Sequence, residues 1–237
     1  MSDRTAIPPP TTPHLDALAQ DGVRFDTAVA PTSWTLPSHV TLLTALPIRV
    51  HQVHVSSQRF TKRVLTLAEV LSQEGYATAG IVGGSYLDAG YGFAQGFDHY
   101  DDYTVANRDR SKPDGHVTSP MSLRQANQWL ESWAASQQPR PFFLFLHMWD
   151  VHYSYDPPPP YDTMFDPDYE GDIVASPYMR NRRISPRMDP RDLEHVIALY
   201  DGEIRHTDHH LGRLFNALKG LGVFDDTIIV VTWDHGD

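Results

Sequence analysis

No cysteine occurs among the 237 residues, which excludes disulfides, thiolate zinc sites and a cysteine nucleophile. Long apolar runs are missing too. The longest reach about five residues, as in Phe142 to Leu146, against the roughly 20 that a helix needs to cross a bilayer, so no membrane span is expected. Net positive charge is also lacking: 19 Lys and Arg stand against 30 Asp and Glu, a formal charge of −11 at pH 7. A chain of that sign repels a phosphate backbone, and its basic residues are scattered except around Arg180 to Arg187, so no nucleic-acid partner is expected. Met1 is followed by Ser, Asp, Arg and Thr and soon by three prolines, without the basic-then-apolar order of a signal peptide. Residues 1–11 read as an irregular leader and 12–237 as one soluble domain.

What is present is ordinary for a folded α/β protein, with 41% apolar and 21% charged residues. Thr12 and Pro13 open a helix over 13–21, and Val23 to Ala30 alternates as a half-buried strand does. Pro37 opens a second helix carrying Val40, Leu42, Leu43 and Leu46. A helix from Thr66 to Gly75 leads into a strand over Tyr76 to Val82, and a helix through Leu123, Leu130 and Trp133 leads into Phe142 to Met148, a strand apolar enough to be buried on both faces. A long helix opens at Pro190 and ends near Gly220, and Thr227 to Trp233 reads as a last strand. This alternation predicts an α/β fold, a mostly parallel sheet with helices on both faces, in which ligands sit beyond the carboxyl ends of strands. Two stretches without periodicity, roughly 100–120 and 154–188, exceed usual loop lengths and are candidates for lids or insertions.

Thirteen histidines, several beside aspartates, point to metal or acid/base chemistry. In Ser33-Trp34-Thr35-Leu36-Pro37-Ser38-His39 a hydroxyl precedes a helix, facing its free N–H groups and positive end, which suits a tetrahedral oxyanion. Thr35 is thereby a candidate nucleophile or metal ligand; the competing reading makes Thr35 or Ser38 a plain helix cap. Asp234-His235-Gly236 ends the last strand with a carboxylate and an imidazole that together can bind a divalent ion, or simply form a turn. His147-Met148-Trp149-Asp150-Val151-His152 follows the apolar strand, and His152 is placed to protonate a leaving oxygen or bind substrate, His147 being internal. In His206-Thr207-Asp208-His209-His210 an exposed polar helix face is the preferred reading over a metal clamp. His51 and His54 follow the Thr35 helix without a motif to give them a role.

These segments, in this order, resemble the sulfatase family within the alkaline phosphatase superfamily. The likeness extends to Thr12-Pro13-His14-Leu15-Asp16-Ala17-Leu18-Ala19 with Gly22-Val23-Arg24-Phe25, to Gly92-Phe93-Ala94-Gln95-Gly96-Phe97-Asp98, and to Tyr200-Asp201-Gly202-Glu203-Ile204. The family motif is Cys or Ser, any residue, Pro, Ser, Arg, its first residue oxidised to formylglycine; here Thr35-Leu36-Pro37-Ser38-His39 fills the frame. Threonine cannot give that aldehyde, so no formylglycine is expected, and His39 replaces the arginine that supports the nucleophile. The resemblance implies metal-dependent hydrolysis of a small-molecule or glycan sulfate ester. Thr35, His39 and His152 would be catalytic and Thr35, Asp234 and His235 would hold the ion, Ca²⁺ by resemblance with Mn²⁺ or Zn²⁺ open. A phosphate or phosphonate ester hydrolase or phosphoryl transferase using Thr35 is the alternative enzyme, and a non-catalytic binding protein of the same fold the alternative outside catalysis. The family's paired aspartates before the first helix, and its lysine and smaller domain after the Asp-His-Gly turn, have no counterpart in the sequence. Truncation at both ends, and weak or no turnover by this polypeptide, are therefore expected.

Overall fold

The computed structural model describes residues 9–61, 63–102 and 118–236. Besides short 3-10 turns its elements run α1 (Pro13–Gln20), α2 (Thr35–Thr44), α3 (Ile48–His51), α4 (Leu67–Gln73), β1 (Ala77–Val82), β2 (His99–Asp101), α5 (Ser119–Ala134), β3 (Phe142–His147) and α6 (Pro190–Gly220). The chain divides into two units. One comprises Met1–Arg24, Asp109–Ser119 and Trp149–Arg213, the other Phe25–Arg108, Pro120–Met148 and Leu214–Asp237. Most of the expected leader, and most of the loop expected at 100–120, lie outside the described residues.

The second unit is built on a parallel sheet in the order β2-β1-β3, with Ala77 opposite Phe142 and Val82 opposite His147. Side chains alternate between the faces of a strand, and helices cover both faces, as the apolar pattern implies. Val82 and Phe145 join Leu36, Val40 and Leu43 of α2, with Phe93, on one face. Ile81, Phe142, Leu144 and Leu146 meet Leu123, Ala126 and Leu130 of α5 and Leu214 and Leu218 of α6 on the other. Gly80 is required by close approach, because a Cβ there would lie 2.6 Å from the Tyr100 ring. α4 begins with a capping box: the Thr66 side chain accepts from the Glu69 N–H at 3.1 Å while the Thr66 N–H donates back to Glu69 Oε2 at 2.9 Å.

Two expected strands are absent among the described residues. Residues 23–30 and 227–233 join no ladder, leaving Val23, Phe25 and Val29 at least 79% exposed and Ile228 92% exposed. Alternation confers strand propensity, but a strand forms only where a neighbour satisfies its N–H and C=O groups. For the same reason β3, flanked only by β1 among the described residues, is half-buried along its length, not buried on both faces.

In the first unit, Tyr155, Ile173, Ala175, Val196 and Leu199 form the core, so the stretch 154–188 is an ordered insertion packed on α6. Asp166 accepts paired hydrogen bonds from Arg191 at 2.5 and 2.6 Å and one from His195 Nδ1 at 3.0 Å. Asp150 accepts from the Ser119 N–H and the Thr118 hydroxyl, both at 2.7 Å, where α5 begins. The His206 segment departs from expectation. His206, Asp208 and His210 are buried and His209 alone of the four is exposed, because α6 is covered there by α1 and by Tyr161.

His206 Nε2 lies 3.1 Å from His210 Nε2, a contact that accommodates one proton but not two. Burial holds both imidazoles below the usual histidine range, His210 at about 4; His209 and Arg213 push it further the same way, while Asp150, 3.7 Å from His206 Nδ1, opposes the shift at His206. A depressed histidine is neutral when folded while the unfolded chain takes up protons below its ordinary pKa, so stability falls with falling pH in that window. The melting temperature is expected to decline from pH 6.5 to about 4, and His210→Gln to flatten that decline. An unchanged slope in the variant would remove the pair as its cause.

Candidate active site

The site is assembled in the second unit from the amino end of α2 and the turn at Asp234. Trp34, extended at φ −157° and ψ 158°, precedes α2 and gives it no side-chain cap, so the first-turn N–H groups remain available to another acceptor. The helix starts at Thr35, not at Pro37. Pro37 sits in the first turn, where its missing N–H removes no helical hydrogen bond. Neither hydroxyl is a helix cap. Ser38 Oγ donates to the Asp234 carbonyl oxygen at 2.6 Å, and Thr35 Oγ1 lies 3.3 Å from His235 Nε2. His235 Nδ1 donates to the Gly236 carbonyl oxygen at 2.9 Å, so the neutral ring carries its lone pair on Nε2, facing Thr35.

His39 is buried, and its Nδ1–H donates to the Thr35 carbonyl oxygen at 3.0 Å while lying 3.4 Å from Asp234 Oδ2. Its ring meets His147, Phe145 and Phe93 edge-on at centroid distances of 5.1, 6.0 and 6.4 Å. Burial lowers its pKa more than Asp234 restores it, so His39 is neutral near pH 7. It touches the backbone of Thr35 and not its hydroxyl, the place of a positioning residue.

Asp234 Oδ2 is buried, accepts no hydrogen bond, and lies 3.4 Å from His39 Nδ1 and 3.5 Å from His235 Nε2. A carboxylate oxygen out of water without a donor is costly, and that orphan beside an imidazole lone pair and a hydroxyl fits a cation. The fit is of a partial donor set. Among the described residues no group of three or more His, Asp or Glu side chains is arranged to hold an ion, so Thr35, Asp234 and His235 would leave further coordination positions to water or substrate.

Four of the residues singled out in the sequence, Thr35, His39, Asp234 and His235, thus come together. His152 belongs to the first unit, where its ring stacks on Trp149 at 4.1 Å and its Nδ1 donates to the Tyr153 carbonyl oxygen at 2.9 Å. His51 is structural: Nδ1 accepts from the Val53 N–H and Nε2 donates to Thr41 Oγ1, both at 3.1 Å. Sequence reasoning missed Ser38 as the tie to the Asp234 backbone, and the aromatic wall around His39. The motif frame is the only signal for the first, and nothing local announces the second.

Comparison with known proteins bears on the family and the fold. A family model described as Sulfatase matches residues 5–237. The ulvan-active sulfatase of Formosa agariphila is 28% identical over 245 residues, covering 95% of this chain and 46% of that protein. Among solved structures, a phosphonate monoester hydrolase of Agrobacterium radiobacter superposes with a TM-score of 0.69 at 22% identity, covering 91% of this chain and 56% of its own. A protein in complex with its substrate D-glucosamine-2-N,6-O-disulfate gives 0.70 at 20% identity, with 91% and 58% covered. The chain therefore spans about half the length of the curated relatives it matches.

Proposed function

This chain belongs to the sulfatase family, and from that premise we propose that its second unit carries the reacting residues of a metal-dependent hydrolase of sulfate esters, those of sugars in particular. The observation that carries the reading is the Thr35 hydroxyl, 3.3 Å from His235 Nε2 at the uncapped positive end of α2. Thr35 Oγ1 attacks the sulfur as the S–O bond to the sugar breaks, its proton passing through solvent to the departing sugar oxygen, and water then cleaves the Thr35 sulfate ester to release sulfate and restore the hydroxyl. The first-turn N–H groups of α2 face the charge that builds on the transferred group. His39 and Ser38 hold the Thr35 and Asp234 backbones in register. Thr35, Asp234 and His235 would bind a divalent ion, Ca²⁺ first with Mn²⁺ or Zn²⁺ as alternatives, which when bound polarises the sulfuryl oxygens. The disulfated glucosamine of the structural neighbour and the ulvan of the relative support a glycan ester.

One feature favours phosphorus over sulfur. Thr35 supplies an alcohol and not a formylglycine hydrate, and an alcohol nucleophile also suits transfer of a phosphoryl or phosphonyl group; the Agrobacterium neighbour is a phosphonate monoester hydrolase. Parallel turnover of aryl sulfates, aryl phosphonates and phosphodiesters, by this chain and by a longer protein that contains it, decides between them. Faster phosphonate than sulfate turnover would overturn the sulfate reading.

Asp234→Asn keeps the shape of the carboxylate and removes its charge. Ca²⁺, Mn²⁺ or Zn²⁺ is expected to raise the melting temperature of the wild-type chain and not that of the variant, and chelation is expected to abolish turnover. Equal shifts in both proteins, or activity that survives chelation, would remove the ion from the site.

A further inference from the structure

Residues 173–188 contain Arg180, Arg182, Arg183 and Arg187 and no Asp or Glu, in a chain of formal charge −11. The four arginines are not equivalent. Arg183 is the anchor, donating to Asp172 at 2.8 Å and to Asp192 at 3.1 Å. Asn181 holds the same turn, its amide donating to the Val174 carbonyl oxygen at 2.7 Å and its Oδ1 accepting from the Arg183 N–H at 3.0 Å. Tyr178, Ile184 and Met188 pack against the core of the first unit. The backbone is thus pinned from several sides. Arg180, Arg182 and Arg187 are exposed and make no ion pair among the described residues.

Three unneutralised guanidinium groups on an ordered backbone repel one another and gain from any anion that bridges them. Their planar forks match the oxygens of sulfate, phosphate and carboxylate, and because the backbone is already fixed, ligand binding has less order to impose. A chain bearing repeated anionic groups has one to offer each guanidinium, which a single small anion does not. Nucleic acid fits less well. Three free arginines make a short track, and a long duplex would also meet the acidic surface that gives the chain its net charge.

We propose that Arg180, Arg182 and Arg187 form a binding surface for the non-reacting sulfate groups of a polymeric sulfated glycan. The assignment of a glycan rests on the sulfate-ester reading above; the anion-binding surface itself does not. Binding there holds the polymer to the first unit and adds affinity that a small aryl sulfate does not receive.

The test is calorimetric titration of the full chain with a sulfated hexasaccharide, its desulfated counterpart and a single-stranded oligonucleotide of equal charge. The triple variant Arg180→Gln, Arg182→Gln, Arg187→Gln is run beside the wild type at low and at physiological salt. The proposal expects the triple variant to bind the sulfated chain roughly tenfold or more weakly, with a shallower dependence on salt, while aryl sulfate turnover and the melting temperature stay as in the wild type. Equal affinity of variant and wild type would overturn it, as would equal wild-type affinity for the desulfated glycan. Tighter binding of the oligonucleotide than of the sulfated chain would make the surface one for nucleic acid. Arginine-dependent glycan binding with no sulfate-ester turnover, either by this chain or by a longer protein that contains it, would retire the catalytic reading and leave the surface standing.

Discussion

Thr35→Val is expected to lower ester turnover by about 100-fold or more and to leave the folded chain close to its original stability. The two effects separate because of where the hydroxyl sits. Thr35 is 4% exposed, so its bulk is part of the packing around α2, and valine reproduces that bulk. What valine removes is the oxygen 3.3 Å from His235 Nε2. A neutral hydroxyl exchanged for a methyl costs little when its partner keeps other acceptors or donors, and His235 retains its hydrogen bond to the Gly236 carbonyl oxygen. Thr35→Ser restores an oxygen without the methyl and is expected to recover most of the turnover. Steady-state kinetics with the preferred aryl ester, beside thermal melts of all three proteins, make the comparison. Turnover in Thr35→Val equal to wild type would exclude Thr35 as nucleophile and pass that role to water.

The largest expected loss of stability comes from a residue outside the candidate site. Asp208 is completely buried and accepts hydrogen bonds from the N–H groups of Leu15 at 2.9 Å and His14 at 3.1 Å, with Arg205 Nη1 at 3.4 Å. Those N–H groups lie in the first turn of α1, where no intrahelical acceptor exists, and Thr12 provides no side-chain cap. Asp208 is therefore the cap of α1, supplied from α6. Gly212, one turn further along α6, leaves room for the His14 ring, which a Cβ there would approach to 2.5 Å. Asp208→Ala strands two donors and the neighbouring Arg205, and is expected to cost about 3 kcal/mol, measured by chemical denaturation. Asp208→Asn keeps one acceptor oxygen and should cost less. A loss below about 1 kcal/mol in the alanine variant would mean that α1 finds other partners.

Elements with a strong local signature were legible from sequence. The helices with caps or prolines at their starts, the β1 and β3 runs, and the long stripe of α6 fall within a few residues of their expected places, since each carries its own periodicity and punctuation. The motif at Thr35 to His39 and the turn at Asp234 were legible for another reason: their residue types and order match a family frame. Alternation alone was misleading at 23–30 and 227–233, where the pattern of a strand is present and the partner that would complete it is not among the described residues. The His206 segment misled in the opposite direction, its polar residues being buried because α1 and Tyr161 lie over them.

Residue chemistry along the chain determined the fold class, the exclusion of thiol chemistry and the five side chains put forward as reactive or metal-binding, Thr35, His39, His152, Asp234 and His235. Tertiary structure alone decided which atoms of those side chains meet. It set the Thr35 hydroxyl against His235 and the Thr35 carbonyl against His39, left Asp234 Oδ2 buried without a donor, and turned three arginines outward while anchoring a fourth. A hydrogen bond across 200 positions, such as that of Thr35 with His235, has no trace in local periodicity. It exists only because the packing of the second unit brings segments far apart in sequence into contact.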